Sequence, residues 1–258
     1  MSAVLVQAGN LTLRELRALA RQPFYVAVSL VQPLIWLLLF GQLFTSVAEL
    51  PGFGGASYIT FLTPGVVAMT ALFTSGWSGM GFIDDMDRGV MNRLLVSPAR
   101  RGAIVVGKLA HLAVTLTIQA LIVIGVGLVA GARYPGGAPG VLVTVLVTVL
   151  LAVGFGSFSN AVALMVRSRE SLIGIAQFLT LPLSFLSTAI MAEEAAPGWI
   201  RTVARVNPVN WAVSASRDAL SADPDWAAVL TNCGLLLVLA VLLAFLATRA
   251  FRAYQRSV

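Results

Sequence analysis

Residues 141–166 read VLVTVLVTVLLAVGFGSFSNAVALMV, a run without a single charged side chain. A helix needs about 20 such residues to cross the hydrocarbon core of a bilayer, at a rise of about 1.5 Å per residue. Across the 258 residues, 58% are hydrophobic and 11% are charged, whereas soluble domains carry roughly 25% charged residues. The sequence therefore predicts an integral membrane protein built from helices.

Five further apolar runs flank this one. Together they predict an all-α fold of six transmembrane helices within a single domain, 1–258. The predicted spans are about 24–46, 58–82, 103–130, 141–166, 172–192 and 226–248. Glycine- and proline-rich turns, 47–57 and 131–140, separate the first two spans and the third from the fourth, because both residue types break helices.

The distribution of basic residues predicts the orientation. Most of the 17 lysines and arginines lie in the N-terminal segment, around the second and fourth connections and in the C-terminal tail. Because positive charge accumulates on the cytoplasmic side, we expect both termini in the cytoplasm of a bacterium, with the chain in the plasma membrane. Charge placed between spans argues against a nucleic-acid partner and indicates contact with membrane lipids.

Two connecting regions are predicted to be more than turns. Residues 12–22 have the pattern of an amphipathic helix lying on the membrane interface, with a solvated leader as the alternative. Residues 193–225, between spans five and six, mix apolar and polar side chains and contain Trp199 and Trp211. They predict short external re-entrant helices packed against protein, with an ordinary external loop as the alternative.

The residues from Gly102 to Lys108 fit the glycines and lysine of a phosphate-binding loop, but Leu109 stands where Mg²⁺ binding needs serine or threonine. A membrane span follows where such a loop needs a soluble α/β domain. We therefore expect no ATPase site in this chain, no bound cofactor or metal, and no enzyme activity of its own. Lys108 is expected to extend from the start of span three to the cytoplasmic interface.

Residues 84–98 predict a cytoplasmic amphipathic helix. Acidic residues at its start and Arg93 near its end match the helix dipole. An apolar stripe is formed by Met86, Val90 and Leu94, and Pro98 stops the helix. The stripe can dock into a groove of a partner protein or lie against the chain's own bundle.

At these residues the sequence resembles the permease subunits of ABC-2 type exporters, the group of the daunorubicin-resistance and nodulation-factor exporters. The likeness rests on DRGVMNRLLVSP at 87–98, on Gly107-Lys108, and on Asn207-Pro208 followed by Trp211. The order of elements agrees: an amphipathic leader, six spans, and an apolar external segment before the last span. Many relatives have glutamate where Asp87 stands.

The resemblance implies a permease that pairs with a second copy or a homologous permease and with separate ATP-binding cassette subunits, which bind ATP and Mg²⁺. Closure of those subunits would act through a coupling helix at 84–97. The implied coupling residues are Asp87, Arg88, Val90, Met91, Arg93 and Leu94. The implied external gate consists of Asn207, Pro208 and Trp211. Substrates of the family are amphipathic drugs, lipids or glycans.

Polar residues within the spans are candidates for lining a transport pathway. They are Thr70, Thr74, Ser75, Thr180 and Ser184. Serine and threonine also mediate helix contacts in membrane bundles, and this alternative stays open. So do two other functions, a secondary carrier that is not driven by ATP and a membrane assembly or sensor protein.

Overall fold

The structure is a computed structural model that describes residues 23–45, 57–91 and 101–255, and these are almost entirely helical. In chain order the helices are α1 (Pro23–Ile35, continued by a π-helical stretch, Trp36–Phe40, and a last turn, Gly41–Leu43), α2 (Tyr58–Gly76), α3 (Met80–Asp87), α4 (Arg101–Val129), α5 (Gly137–Val166), α6 (Arg169–Phe185), α7 (Gly198–Arg205), α8 (Pro208–Leu220) and α9 (Trp226–Gln255). The interfacial helix predicted for 12–22 lies outside the described residues.

Four helices of the described part are long and apolar enough to cross a membrane, namely Tyr58–Asp87, Gly102–Val129, Gly137–Val166 and Trp226–Phe251. The apolar part of α1, Ala27–Leu43, is shorter, and α6 has 17 residues. A helix of that length extends about 26 Å, slightly less than the hydrocarbon core of about 30 Å. The prediction of a helical membrane protein is confirmed, and the count of six spans stays a prediction.

Helix α5 is the centre of the bundle, and α2, α4, α8 and α9 all pack against it. Its small residues allow this. Gly156 faces Leu112 of α4, and Gly140 lies against the backbone of Ala219 in α8, so closely that a Cβ would collide at either glycine. Small residues at helix contacts are typical of membrane bundles, where van der Waals packing holds helices together.

The second span bends where α2 gives way to α3. Ser159 of α5 holds the turn, because its hydroxyl donates to the Gly76 carbonyl at 2.6 Å and accepts from the Gly79 N–H at 2.9 Å. Gly79 lies directly on the Ser159 backbone, where a side chain would not fit. The start of α3 is therefore fixed to α5.

The prediction of one continuous helix over 84–97 was wrong in its described part. Helix α3 begins at Met80 and ends at Asp87. Gly89 follows with a φ of +67°, a left-handed conformation that favours glycine and ends helices. The chain becomes helical again directly after this glycine, and residues 92–100 lie outside the described part.

The earlier start of α3 also changes the position of its acidic residues. Asp84, Asp85 and Asp87 were predicted to lie at the start of the helix, but they lie in its last turns. Carboxylates there face the negative end of the helix dipole, which is unfavourable. Their charges need cations from neighbouring helices.

The predicted fifth span, 172–192, was wrong at its C-terminal end, because α6 stops at Phe185. The side-chain amide of Asn207 donates from Nδ2 to the carbonyls of Leu183 at 2.7 Å and Leu186 at 2.8 Å. These carbonyls at the helix end are satisfied without a further helical turn. The residues that follow continue as bends.

Residues 193–225 contain a 3-10 turn, Glu193–Ala195, and the helices α7 and α8. Helix α8 packs against α5, α9 and α2, and it buries Val209, Ala212 and Val213 among them. It is therefore part of the bundle. Its position relative to a membrane stays a prediction.

The bundle has two ends with different constructions. The basic end is where α3 meets the first turns of α4 and α6 and the last turns of α5 and α9. Here the rings of Phe82 and Phe251 lie 6.0 Å apart. The distal end is the opposite part of the bundle, which comprises α8, the end of α6 that contacts it, and the turn between α4 and α5. There the Gly136 N–H donates to the Leu220 carbonyl at 3.0 Å.

Candidate functional site

A groove between α1, α2 and α6 encloses a cavity of about 400 Å³. Its polar lining consists of Ser29, Gln32, Thr70, Thr74 and Gln177. Its apolar lining consists of Pro33, Trp36, Val66, Met69, Phe73, Trp77, Leu181 and Phe185. None of these lining residues is charged. A mostly apolar cavity with a few hydroxyl and amide groups suits an amphipathic ligand.

Behind the groove, Gln119 of α4 connects two of its walls. Its Nε2 donates to the Ser29 hydroxyl of α1 at 2.8 Å, and its Oε1 accepts from the Thr74 hydroxyl of α2 at 3.4 Å. The side chain of Gln119 is buried. The amide therefore holds two lining hydroxyls from the protein side, and both hydroxyls remain next to the cavity.

The predicted pathway residues divide into two groups. Thr70 and Thr74 line the groove. Ser75, Thr180 and Ser184 are buried away from it, and each donates to a carbonyl of its own helix at 2.7–3.0 Å. These three side chains therefore lie where small polar residues allow close helix packing, which was the alternative to a role in lining the pathway.

At the distal end Asn207 joins α6 to α8. Besides its two bonds to α6, its Oδ1 accepts the Val209 N–H at 2.9 Å and so caps α8. Pro208 follows at the first helical position, where its missing N–H costs nothing. Trp211 donates from Nε1 to the Arg205 carbonyl at 2.8 Å, which ties α8 to α7. The predicted gate residues are thus joints between helices, and a gating role stays a prediction.

The irregular segment after α6, residues 186–192, is held by Arg217 of α8. Its guanidinium donates to the carbonyls of Thr188 at 2.7 Å, Ala189 at 3.2 Å and Phe61 at 3.3 Å. It also lies 3.5 Å from the centre of the Phe61 ring. The positive charge of Arg217 is thus stabilised by carbonyl dipoles and by the face of an aromatic ring.

Helix α2 approaches the same segment at Gly65. The Ala189 carbonyl occupies the space that a Cβ on this glycine would need. Tyr58 of α2 donates from its hydroxyl to the Ile190 carbonyl at 2.9 Å. The distal end therefore consists of irregular backbone fixed by side-chain donors.

At the basic end Lys108 of α4 forms an ion pair with Asp85 of α3, with Nζ 2.7 Å from the carboxylate. The lysine also donates to the Gly81 carbonyl at 3.0 Å and lies over the Phe82 ring. Both charged side chains are about 85% buried, with 14% and 15% exposed. Lys108 therefore packs against α3 within the bundle, and its position relative to the cytoplasmic interface stays a prediction. Residues 102–108 run as regular helix within α4, and not as a phosphate-binding loop.

Arg169 of α6 binds the other two acids of α3. One guanidinium nitrogen lies 2.7 Å from the carboxylate of Asp84 and 2.9 Å from that of Asp87. The arginine precedes the predicted span, and its hydrogen bond to Asp87, followed by the charge of Asp84, raises the pKa of the guanidinium. Lys108 and Arg169 together supply the cations that the end of α3 requires.

The profile of the ABC-2 type transporter family matches residues 6–221 of the chain. The chain belongs to this family. It is a multi-pass membrane protein and a permease component of an ABC transporter. Such ABC-2 permeases work with an ATP-binding subunit.

Individual relatives of this ABC-2 permease carry transporter names. A Cyanophora paradoxa protein, ycf38, named as a transport permease, is 30% identical over 200 residues, which cover 77% of this chain and 69% of that protein. The daunorubicin resistance ABC transporter permease protein DrrB1 of Streptomyces coeruleorubidus is 26% identical over 249 residues, 94% of this chain and 83% of its own. YbhR of Escherichia coli, named as a multidrug ABC transporter permease, is 27% identical over 154 residues, covering 59% and 41%.

The predicted coupling residues of this ABC-2 permease occupy different environments. Asp87 and Arg88 are exposed at the end of α3, and Val90 is half-buried. Met91 is only 1% exposed, in a core cluster at the basic end that includes Phe82. In this structure Met91 therefore packs within its own bundle. The remaining two, Arg93 and Leu94, lie outside the described residues.

Three side chains with clear roles in the ABC-2 permease were not among the predicted site residues, namely Gln119, Arg169 and Arg217. Gln119 carried a usable signal, because it is a lone amide within an apolar span. Arg217 carried another, because it stands in an apolar segment of the external region. Neither pattern names the partner carbonyls and hydroxyls, which only the folded bundle brings together.

Proposed function

We propose that this ABC-2 permease exports an amphipathic drug, lipid or glycan from the cytoplasm. Energy would come from a separate ATP-binding cassette subunit that binds and hydrolyses ATP with Mg²⁺. The observation that carries the proposal is the groove between α1, α2 and α6. It combines aromatic surface with hydroxyl and amide groups, and its described lining is uncharged.

The lining explains how such a substrate can be held and released. Aromatic and aliphatic walls take the apolar part of the molecule without a desolvation cost. The hydroxyls of Ser29 and Thr74 are already bound to Gln119, so these two groups keep a hydrogen-bond partner when an apolar part of the substrate lies against them. Binding is therefore broad and moderate, as a transport pathway requires.

A second permease, either another copy or a homologous chain, is proposed to complete the pathway. Helices α1 and α6 stand on either side of the groove and hardly touch each other. Their outer faces carry exposed large apolar side chains, among them Val31 and Ile35 on α1 and Phe178 on α6. Those faces flank the opening and offer an apolar contact for the second permease.

The proposed orientation places the basic end in the cytoplasm of a bacterial cell, with both termini there and six spans in the plasma membrane. The support is the concentration of basic residues at that end. In a Cys233→Ala background, Ser57→Cys should react with an impermeant thiol reagent in intact cells, and Ser168→Cys should react only after permeabilisation. The opposite labelling pattern would reverse the orientation.

The exposed residues at the end of α3, Asp87 and Arg88, together with Val90, are proposed to contact the ATP-binding subunit. The test of the whole function begins with tagged permease purified from its native membrane. An ATP-binding cassette protein should co-purify. Proteoliposomes of that complex should move daunorubicin or a fluorescent phospholipid with ATP and Mg²⁺, and not with a non-hydrolysable analogue.

Two other outcomes would each replace the proposal. Transport without ATP that collapses when an ionophore removes the ion gradients would identify a secondary carrier. Co-purification of other membrane proteins, with no transport of any amphipathic probe, would identify an assembly or sensor protein.

A further inference from the structure

Helix α3 is tied to the rest of the bundle by two ionic contacts of different kinds. The pair of Asp85 with Lys108 of α4 is mostly buried. In the contacts of Asp84 and Asp87 with Arg169 of α6, each of the three side chains is between 37% and 56% exposed. One end of a short helix thus carries a shielded contact and an open one.

Helix α6 connects the open contact to the groove. It starts at Arg169, and Gln177, Leu181 and Phe185 on the same helix form one wall of the cavity. Arg169 and Gln177 are separated by about two turns, or about 12 Å of continuous helix. A displacement of the start of α6 is therefore carried to the groove wall.

The alternative route from α3 to the groove runs through α2, which is covalently attached. That route passes through the turn between the two helices, which α5 holds in place. Ser159 of α5 binds both sides of the turn, and Gly79 lies directly on its backbone. The contact of Arg169 with Asp84 and Asp87 joins α3 directly to α6, beside the core packing of Leu172 in the cluster that includes Phe82.

We infer that Arg169 is a positioning residue that transmits movement of α3 to the groove wall formed by α6, with the Asp85–Lys108 pair as the fixed pivot. The inference rests on the proposed function, in which the ATP-binding subunit moves α3. It assigns to this permease a defined route from its ATP-facing surface to its pathway.

The two ionic contacts of α3 differ in strength in the way that a pivot and a moving contact require. An exposed ion pair contributes little net free energy, so it can break and form again during each cycle. A shielded pair is costly to separate, because one charge would remain without a partner. Arg169 also contacts two carboxylates that are three residues apart on α3, and it can pass from one to the other as the helix moves.

The test is a fluorescent reporter in the groove of the complete complex with its ATP-binding subunit. Gln177→Cys in a Cys233→Ala background is labelled with bimane, which the tryptophans of the groove, Trp36 and Trp77, quench. Addition of ATP should change the quenching. Arg169→Gln should reduce that change about fivefold, the lower end of the usual range for coupling between two sites.

Two further variants make the test specific. Glu170→Gln removes the neighbouring charge, whose carboxylate accepts the Ser168 hydroxyl at 2.9 Å, and it should leave the full response. Arg169→Asp combined with Asp84→Arg reverses the pair and should restore most of it. Thermal unfolding of Arg169→Gln close to that of the parent protein separates this effect from a structural one.

Three results would count against the inference. A full ATP response in Arg169→Gln would overturn it and leave the proposed function intact. Loss of the ATP-binding subunit from Arg169→Gln would overturn it as well, because it would place Arg169 in the docking surface. Absence of any ATP response with Arg169 in place would remove the proposed function, and the inference with it.

Discussion

The two ends of the bundle are held together by different chemistry. At the basic end, side chains of opposite charge join the regular ends of separate helices, as in the pairs Lys108–Asp85 and Arg169–Asp84. At the distal end, the buried Asn207 and the guanidinium of Arg217 donate to backbone carbonyls of a segment that has left its helix.

The difference follows from what each end must satisfy. Irregular backbone within a bundle has carbonyls that no helix pairs, and each unpaired one is costly, so its donors are permanent parts of the fold. Ion pairs between helix ends can exchange partners or be replaced by water. We therefore expect the distal end to be the more rigid part of the permease, and the exposed contact of α3 with α6 at the basic end to be the part that exchanges partners.

Loss of Arg217 should have the largest effect on stability. Arg217→Met leaves the carbonyls of Thr188, Ala189 and Phe61 without this donor, and at about 1 kcal/mol or more each, the free energy of unfolding should fall by about 3 kcal/mol. Thermal unfolding in detergent measures this. Arg205→Met, at an exposed position of α7, is the matched control and should change little. Equal melting of both variants would show that the distal end does not depend on its guanidinium.

A smaller effect is expected when only the donor of Asn207 is removed. Asn207→Asp keeps the oxygen that caps α8 but places a second oxygen against the carbonyls of Leu183 and Leu186, so we expect a loss of about 2 kcal/mol. Asn210→Asp is the control, because Asn210 accepts bonds from Thr188 through an oxygen that aspartate retains. If Asn207→Asp unfolds at the same temperature as Asn210→Asp, the contact between α6 and α8 does not depend on the Asn207 amide.

The buried pair at the basic end should come next. Lys108→Met leaves Asp85 largely shielded without its cation, and because some solvent reaches the site we expect a loss of about 1.5 kcal/mol, less than for a fully buried pair. The double variant Lys108→Met with Asp85→Leu should recover most of that loss. Additive losses in the double variant would mean that the two side chains do not act as a pair.

The exposed contact should have the smallest effect on stability. Arg169→Gln should lower the free energy of unfolding only slightly, and by less than any of the three variants above, because an exposed ion pair contributes little net free energy. In 1 M salt, where screening reduces the range of charges to about 3 Å, the difference from the parent protein should vanish. A loss comparable to that of Arg217→Met would make Arg169 a structural residue and would blur the contrast between the two ends.

The sequence was sufficient to predict where the long helices lie, but not to predict the side-chain contacts that end and connect them. Apolar length predicted α4 and α5 to within a few residues at both ends, and it predicted the starts of α2 and α9, because these helices need only a lipid-compatible surface. The same pattern extended span five to residue 192, since residues 186–192 are as apolar as a helix. The Asn207 amide that satisfies the end of α6 comes from a distant part of the chain, and periodicity does not show it.

The coupling segment shows a second limit. The spacing of Met86 and Val90 predicted one stripe on one helix, but Gly89 between them takes a left-handed conformation and ends α3. A glycine within an otherwise helical pattern was the available signal. The acids of α3 were correctly noted as a group. Their partners on α4 and α6 depend on how the helices pack, which sequence spacing alone does not determine.

The central claim is that the groove between α1, α2 and α6 is the export pathway, and one measurement tests it most directly. Thr74→Cys, in the groove, and Thr231→Cys, on the exposed face of α9, are compared in a Cys233→Ala background. Each complex with its ATP-binding subunit is modified by a bulky maleimide in proteoliposomes, and ATP-dependent movement of daunorubicin and of a fluorescent phospholipid is followed. We predict that modification stops transport by Thr74→Cys and leaves Thr231→Cys active. Undiminished transport by fully modified Thr74→Cys would contradict the account.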